Sequence, residues 1–127
     1  MGVPATLLRK LYVENSLNNT PNGFQFQLKN RLAPATITRI GSLMASGREI
    51  PAENITLTVG QRHYSAVDVS NRRPIRFDVN DIVTVSVEAF PLPEGRHLIT
   101  CDIYVEEVGW LHVPIEDEVR EQALVNA

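Results

Sequence analysis

Ile99-Thr100-Cys101-Asp102-Ile103-Tyr104-Val105 is the stretch on which the reading of this chain turns. Its odd positions are apolar and its even positions polar or amphipathic, a period of two that a β-strand converts into one buried and one open face. Phe24-Gln25-Phe26-Gln27-Leu28, Ile55-Thr56-Leu57-Thr58-Val59 and Val83-Thr84-Val85-Ser86-Val87 repeat the pattern. Less regular runs at Leu8 to Val13, Ile37 to Met44, Tyr64 to Val69, Ile75 to Val79 and Trp110 to Val113 add further strands. The total comes to about eight or nine.

Turn residues punctuate these runs. Asn22-Gly23, Ser46-Gly47, Val59-Gly60, Asn80-Asp81 and Pro91-Leu92-Pro93-Glu94-Gly95 all fall between strands, where Gly, Pro and Asn relieve backbone constraint. Strands at short intervals, with no helical crossover between them, predict an all-β fold: an antiparallel, jelly-roll-like β-sandwich in a single domain over residues 1–127. Phe26, Val85, Ile99 and Cys101 belong on its buried faces. At the tail, Ile115, Val119 and Ala123 recur at helical spacing, so Ile115 to Ala127 reads as a short helix or arm.

Composition narrows the function. A formal net charge of -3 lacks the basic footprint of nucleic-acid binding. No stretch approaches the ~18 apolar residues that span a bilayer, and no apolar run follows the first positive charges, so a cytoplasmic protein without membrane contact is expected. The matches of Met1-Gly2-Val3-Pro4-Ala5-Thr6 to a myristoylation pattern, and of Asn18-Asn19-Thr20 and Asn54-Ile55-Thr56 to a glycan acceptor pattern, are short enough to arise by chance.

Catalytic chemistry is hard to assemble from these residues. His63, His97 and His112 lack metal-ligand spacing. The lone Cys101 sits on an apolar strand face without a neighbouring base, and neither a Gly-x-Ser-x-Gly elbow nor a Gly-rich phosphate loop occurs. Glu106-Glu107 would point to opposite faces of a strand, and Glu116-Asp117-Glu118 falls in the expected solvated tail. No catalytic or metal-binding residue is therefore assigned. The polar and aromatic loop residues Asn22, Phe24, His63, Tyr64, Arg72, Arg73, Phe90 and Leu92 are candidates for facing a partner or substrate.

Asn22-Gly23-Phe24-Gln25-Phe26, Pro74-Ile75-Arg76-Phe77 before Asn80-Asp81-Ile82-Val83, Gly95-Arg96-His97-Leu98-Ile99 and Gly109-Trp110-Leu111 together resemble the small β subunit of bacterial C-glycoside deglycosidases. That resemblance implies a carbon–carbon lyase complex acting on a 3-oxo-glucosyl unit joined to an aromatic aglycone. The catalytic residues and a divalent metal, usually manganese, would belong to an isomerase-like TIM-barrel α subunit. This chain would be the non-catalytic member of that hetero-oligomer, holding no cofactor of its own. Ile40, Leu43 and Met44, or the Phe90-Pro91-Leu92-Pro93 loop, would supply the contact surface. Two other readings stand beside it: a free-standing carbohydrate- or ligand-binding sandwich, with Trp110, Tyr64 or Tyr104 stacking on a sugar ring, and a structural assembly protein.

Overall fold

The computed structural model describes residues 3–120. Ten strands form two antiparallel sheets. The first sheet contains β1 (Asn18–Thr20), β2 (Gly23–Lys29), β5 (Ile55–Val59), β6 (Arg62–Ser65) and β8 (Ile82–Glu88) in the order β1-β2-β8-β5-β6. The second contains β3 (Ala35–Ala45), β4 (Arg48–Ile50), β9 (Gly95–Val105) and β10 (Gly109–Val119) in the order β10-β9-β3-β4, and β7 (Ile75–Phe77) pairs with the opening of β3. The expected all-β sandwich is thus observed.

Period-two alternation explains how the layers meet. In the first sheet Phe26, Val85, Leu57 and Tyr64 stand opposite one another in adjacent strands, and all four are buried. In the second, Ile99, Cys101, Ile103 and Val105 face Ile115, Val113, Leu111 and Gly109. The apolar members of both rows belong to one continuous hydrophobic cluster. Burial pushes the Cys101 thiol up to about 12, helped by the negative charge of Asp102, so it remains protonated and inert at neutral pH.

Strand β3 departs from regular pairing twice, with register shifts between Ile37 and Arg39 and between Ile40 and Leu43. Extra residues at such bulges bend a strand and re-aim its side chains. Here Ile37 and Thr38 are both buried, while Gly41 and Ser42 lie between paired positions. Ser46 and Gly47, at φ 53° and 77°, close the β3–β4 hairpin with the two left-handed residues that a tight hairpin turn requires.

The ends of the chain differ from the expected pattern. Leu8 to Val13 is not a strand: α1 (Ala5–Leu8) runs into a 3-10 turn over Arg9–Leu11. Leu8 and Leu11, three residues apart, are both buried, which a helical turn accomplishes and a strand would not. Tyr64 to Val69 is strand only to Ser65 and then a 3-10 turn over Ala66–Asp68. No helix begins at Ile115, because β10 continues through Val119. A spacing of four residues satisfies both periods, and Ile115 and Val119 use it to place two side chains in the core. Ala123 and the rest of the expected tail helix lie outside the described residues. Among the described residues no helix is long and apolar enough to cross a membrane.

Candidate functional site on the second sheet

The outward faces of the two sheets are chemically unlike. On the first, Gln25, Ser86, Thr56 and Ser65 form one cross-strand row and Gln27, Thr84, Thr58 and His63 the next. These rows are polar throughout and tied together by bonds from Gln27 Nε2 to Thr84 Oγ1 at 3.3 Å and between Thr58 Oγ1 and His63 Nδ1 at 3.0 Å. The second sheet instead carries large apolar groups outward: Trp110, Met44 and Leu98 are 43%, 42% and 62% exposed.

Trp110 is the centre of this face. It lies opposite Tyr104 across the β9–β10 ladder, ring to ring at 5.4 Å and 71°, an edge-to-face arrangement that aromatic quadrupoles favour. Tyr104 in turn faces Arg39 on β3. A Cβ on Gly41 would stand 3.1 Å from Asp102 Cβ and 3.2 Å from the Trp110 ring atom Cζ3. The indole therefore rests against bare backbone at the β3 bulge. His112 is the next outward residue of β10, and its Nδ1 bonds Asp102 Oδ1 at 2.7 Å, which fixes the ring beside the tryptophan. The described bonds of this pair end there, with no hydroxyl or thiol in line to act as nucleophile.

Beside the aromatic pair runs a groove of about 770 Å³ lined by Thr38, Arg39, Val67, Ser70, Asn71 and Trp110, among others. That is a size at which small ligands are held. One wall is the sheet, and the other is the 3-10 turn Ala66–Asp68 with the loop after it. No group of three or more His, Cys, Asp or Glu is placed to hold a metal ion among the described residues.

The loop residues singled out from sequence separate into two places. At the first-sheet edge, the Arg73 guanidinium stacks 5.1 Å above the Tyr64 ring, and its Nη2 reaches the His63 carbonyl at 3.5 Å. Arg72 stays exposed next to them. At the other end, Asn22 accepts the Ala89 amide, while Phe24 and Phe90 meet at 6.3 Å under the Arg48 guanidinium. Phe24, Tyr64 and Leu92 do not present an open side chain. All three are buried, and Asn19 pins Leu92 by two bonds of 2.9 Å to its backbone. Of the expected contact residues on β3, Ile40 and Leu43 are also buried and only Met44 is exposed.

The carboxylates have structural roles. Glu107 lies in the β9–β10 turn, where the Thr36 amide and hydroxyl each donate to it at 2.9 Å and hold it below the usual carboxylate range. Asp117 is not in a solvated tail. Burial opposes its ionisation, but the Tyr12 hydroxyl and the amides of Glu118 and Asn15 outweigh that and lower its pKa. Asn30, which carried no signal in the sequence, is a buried polar anchor: its Nδ2 donates to the Ala33 and Phe77 carbonyls, and its Oδ1 accepts the Leu32 amide.

Residues 7–120 match the family described as hydroxymethylglutaryl-CoA reductase, N-terminal domain, and the chain belongs to that family. No curated protein matches it. The family match overturns the resemblance to the C-glycoside deglycosidase small subunit, and the lyase assignment loses its basis with it. The stretches that carried the likeness, such as Asn22-Gly23-Phe24 and Gly109-Trp110-Leu111, are turn-to-strand junctions of a kind that unrelated sandwiches share.

Proposed function

We propose, with membership of this N-terminal-domain family as the premise, that the chain is a non-catalytic docking module whose second sheet seats on the catalytic part of a hydroxymethylglutaryl-CoA reductase. The observation that carries the reading is the contrast between the two outward faces. Trp110, Leu98 and Met44 stand open on one sheet, with Tyr104 half-buried against the indole, whereas the central rows of the other are polar and Ile82 stands open only at the start of β8. Exposed apolar area is unfavourable in water by roughly 25 cal/mol per Å², and Trp, Tyr, Met and Arg are the residues that concentrate in the cores of interfaces. Arg39 and the His112–Asp102 pair supply a polar rim beside the aromatics. The family description, a domain of a larger enzyme, supports a catalytic chain or domain as the occupant.

Trp110 is the only tryptophan in the chain, so 5-fluorotryptophan labelling gives a single fluorine resonance at the proposed contact. Adding the reductase catalytic domain of the same organism should shift or broaden that line, and the two should co-elute. Trp110→Ala should weaken the association by roughly 30-fold or more, the effect of losing an interface hot spot of ~2 kcal/mol. An unmoved resonance at tens of micromolar partner would refute docking by this face.

One observation favours a second reading, the binding of a sugar or other polar ring. Trp110 borders a groove whose rim also bears Ser70 and Asn71, an aromatic platform with hydrogen-bonding groups around it. Titrating mono- and disaccharides against the same fluorine line separates the two: a saturable shift with sugar alone supports the ligand site.

A further inference from the structure

At the end of the β9–β10 ladder away from Trp110 lies a second hollow, of about 520 Å³, that the docking reading does not use. Its charged lining is Arg9, Lys10, Arg31 and Arg96 against Glu14 and Glu116. Four cations converge here in a chain whose overall charge is -3. They come from three separate segments: the 3-10 turn after α1, the loop after β2 and the start of β9. Like charges gathered in one concavity repel, and an anion between them relieves that repulsion.

We propose that this cleft binds a compact phosphate-bearing anion. The donors suit that group. Arg31 Nε is used by the Lys10 carbonyl at 3.0 Å and Arg96 Nε by Glu116 Oε2 at 3.2 Å. These bonds orient each guanidinium and leave its terminal nitrogens for a bidentate contact to phosphate oxygens. Arg9 and Lys10 form no ion pair among the described residues. An extended acidic peptide calls for cations in a strip, whereas these surround a hollow. Leu98 and Pro114 add an apolar part to the lining, which suits the organic part of a phosphate ester or the acyl region beneath a lipid headgroup. The proposal stands independently of docking at Trp110.

Isothermal titration of the full chain with sodium pyrophosphate should show saturable one-to-one binding. Arg9→Gln/Lys10→Gln, two exposed side chains outside the core, should weaken it by about tenfold or more. Arg72→Gln, an equally exposed arginine outside the cleft lining, should leave it within about twofold. Arg31→Gln, made separately, should also weaken it. Co-sedimentation with phosphatidylglycerol vesicles that pyrophosphate reverses would identify the source as a headgroup. Pyrophosphate binding without co-sedimentation would identify a free phosphate compound. The proposal is overturned by absence of saturable pyrophosphate binding, by equal weakening in Arg72→Gln, or by binding of a polyglutamate peptide in place of pyrophosphate.

Discussion

Replacing Tyr12 by Phe removes one oxygen and tests how the N-terminal segment is held to β10. That hydroxyl donates to Asp117 Oδ2 and accepts the buried amide of Leu17 at 2.9 Å. A hydrogen bond to a charged group contributes about 1.5–3 kcal/mol, and a buried amide left without a partner costs about 1–3 kcal/mol. Water can re-enter beside the part-exposed Asp117 and recover some of this, so the expected loss is about 2–4 kcal/mol at pH 7. With a urea m-value of ~2 kcal/mol/M, that is a fall of about 1–2 M in the denaturation midpoint.

The pH dependence of this loss has a definite sign. The pKa of Asp117 is lowered in the fold from its ordinary 3.8, so its contribution is present above that value and fades as pH falls through the depressed one. Without the Tyr12 donor, the opposing effect of burial gains weight and the Asp117 pKa rises. Tyr12→Phe should therefore lose less stability than the parent as pH falls below that ordinary value, and the gap between the two should narrow in strong acid. At the alkaline end, Tyr12 is pushed up to about 12 by burial and then by its bond to Asp117. A raised pKa stabilises below the unfolded value near 10 and the benefit is lost as pH rises toward 12, so only the parent should show that additional alkaline loss. Equal midpoints at pH 7, or a gap that does not change between neutral pH and pH 2.5, would refute the reasoning.

Phe26→Ala should cost about 3–5 kcal/mol, because the ring is fully buried between the sheets; denaturant midpoints check this. Asn30→Ala should cost about 2–4 kcal/mol in thermal or chemical unfolding, since two carbonyls and one amide lose their partner at a site only 2% exposed. Cys101 should resist a thiol reagent at pH 8 in the native protein and react only on unfolding, in keeping with its burial and raised pKa. Gly41→Val should move Trp110, because even a Cβ there stands 3.2 Å from the indole. The tryptophan emission should shift while the midpoint falls less than for Phe26→Ala.

The fold was legible where alternation was unambiguous. β2, β5, β8 and β9 contain the four regular runs, and the inward positions follow from parity alone. Legibility failed where one spacing satisfies two periods. Ile115 and Val119 fit a helix face as well as a strand face, and only pairing with β9 decides between them. Leu8 to Val13 has the apolar content of a strand, yet the three-residue interval from Leu8 to Leu11 decides for a helical turn. The site is legible in part: alternation over Trp110 to Val113 separates Trp110 and His112 from Leu111 and Val113, and the first pair is outward. That Gly41 and Arg39 would lie beside Trp110 depends on the first bulge in β3, between Ile37 and Arg39. A bulge changes register without any marker in composition.

The bulges also explain why the second sheet, rather than the first, carries the aromatic face. A regular β3 would keep strict alternation and place an ordinary side chain between Asp102 and Trp110. The shift between Ile37 and Arg39 sets Arg39 opposite Tyr104 and Ile40 opposite Ile103, which brings Gly41 there instead, and its missing side chain opens the shelf on which the indole lies. None of this is needed to complete the core, which the inward residues of both sheets already fill. On the first sheet, Thr, Ser and Gln fill the central outward rows, and the large apolar group exposed there, Ile82, stands at the start of β8. Stability therefore gives no reason for an open tryptophan on a glycine shelf, whereas a surface that must be covered by something else does. On the docking proposal, the outward face of β3, β9 and β10 is the surface that a partner covers.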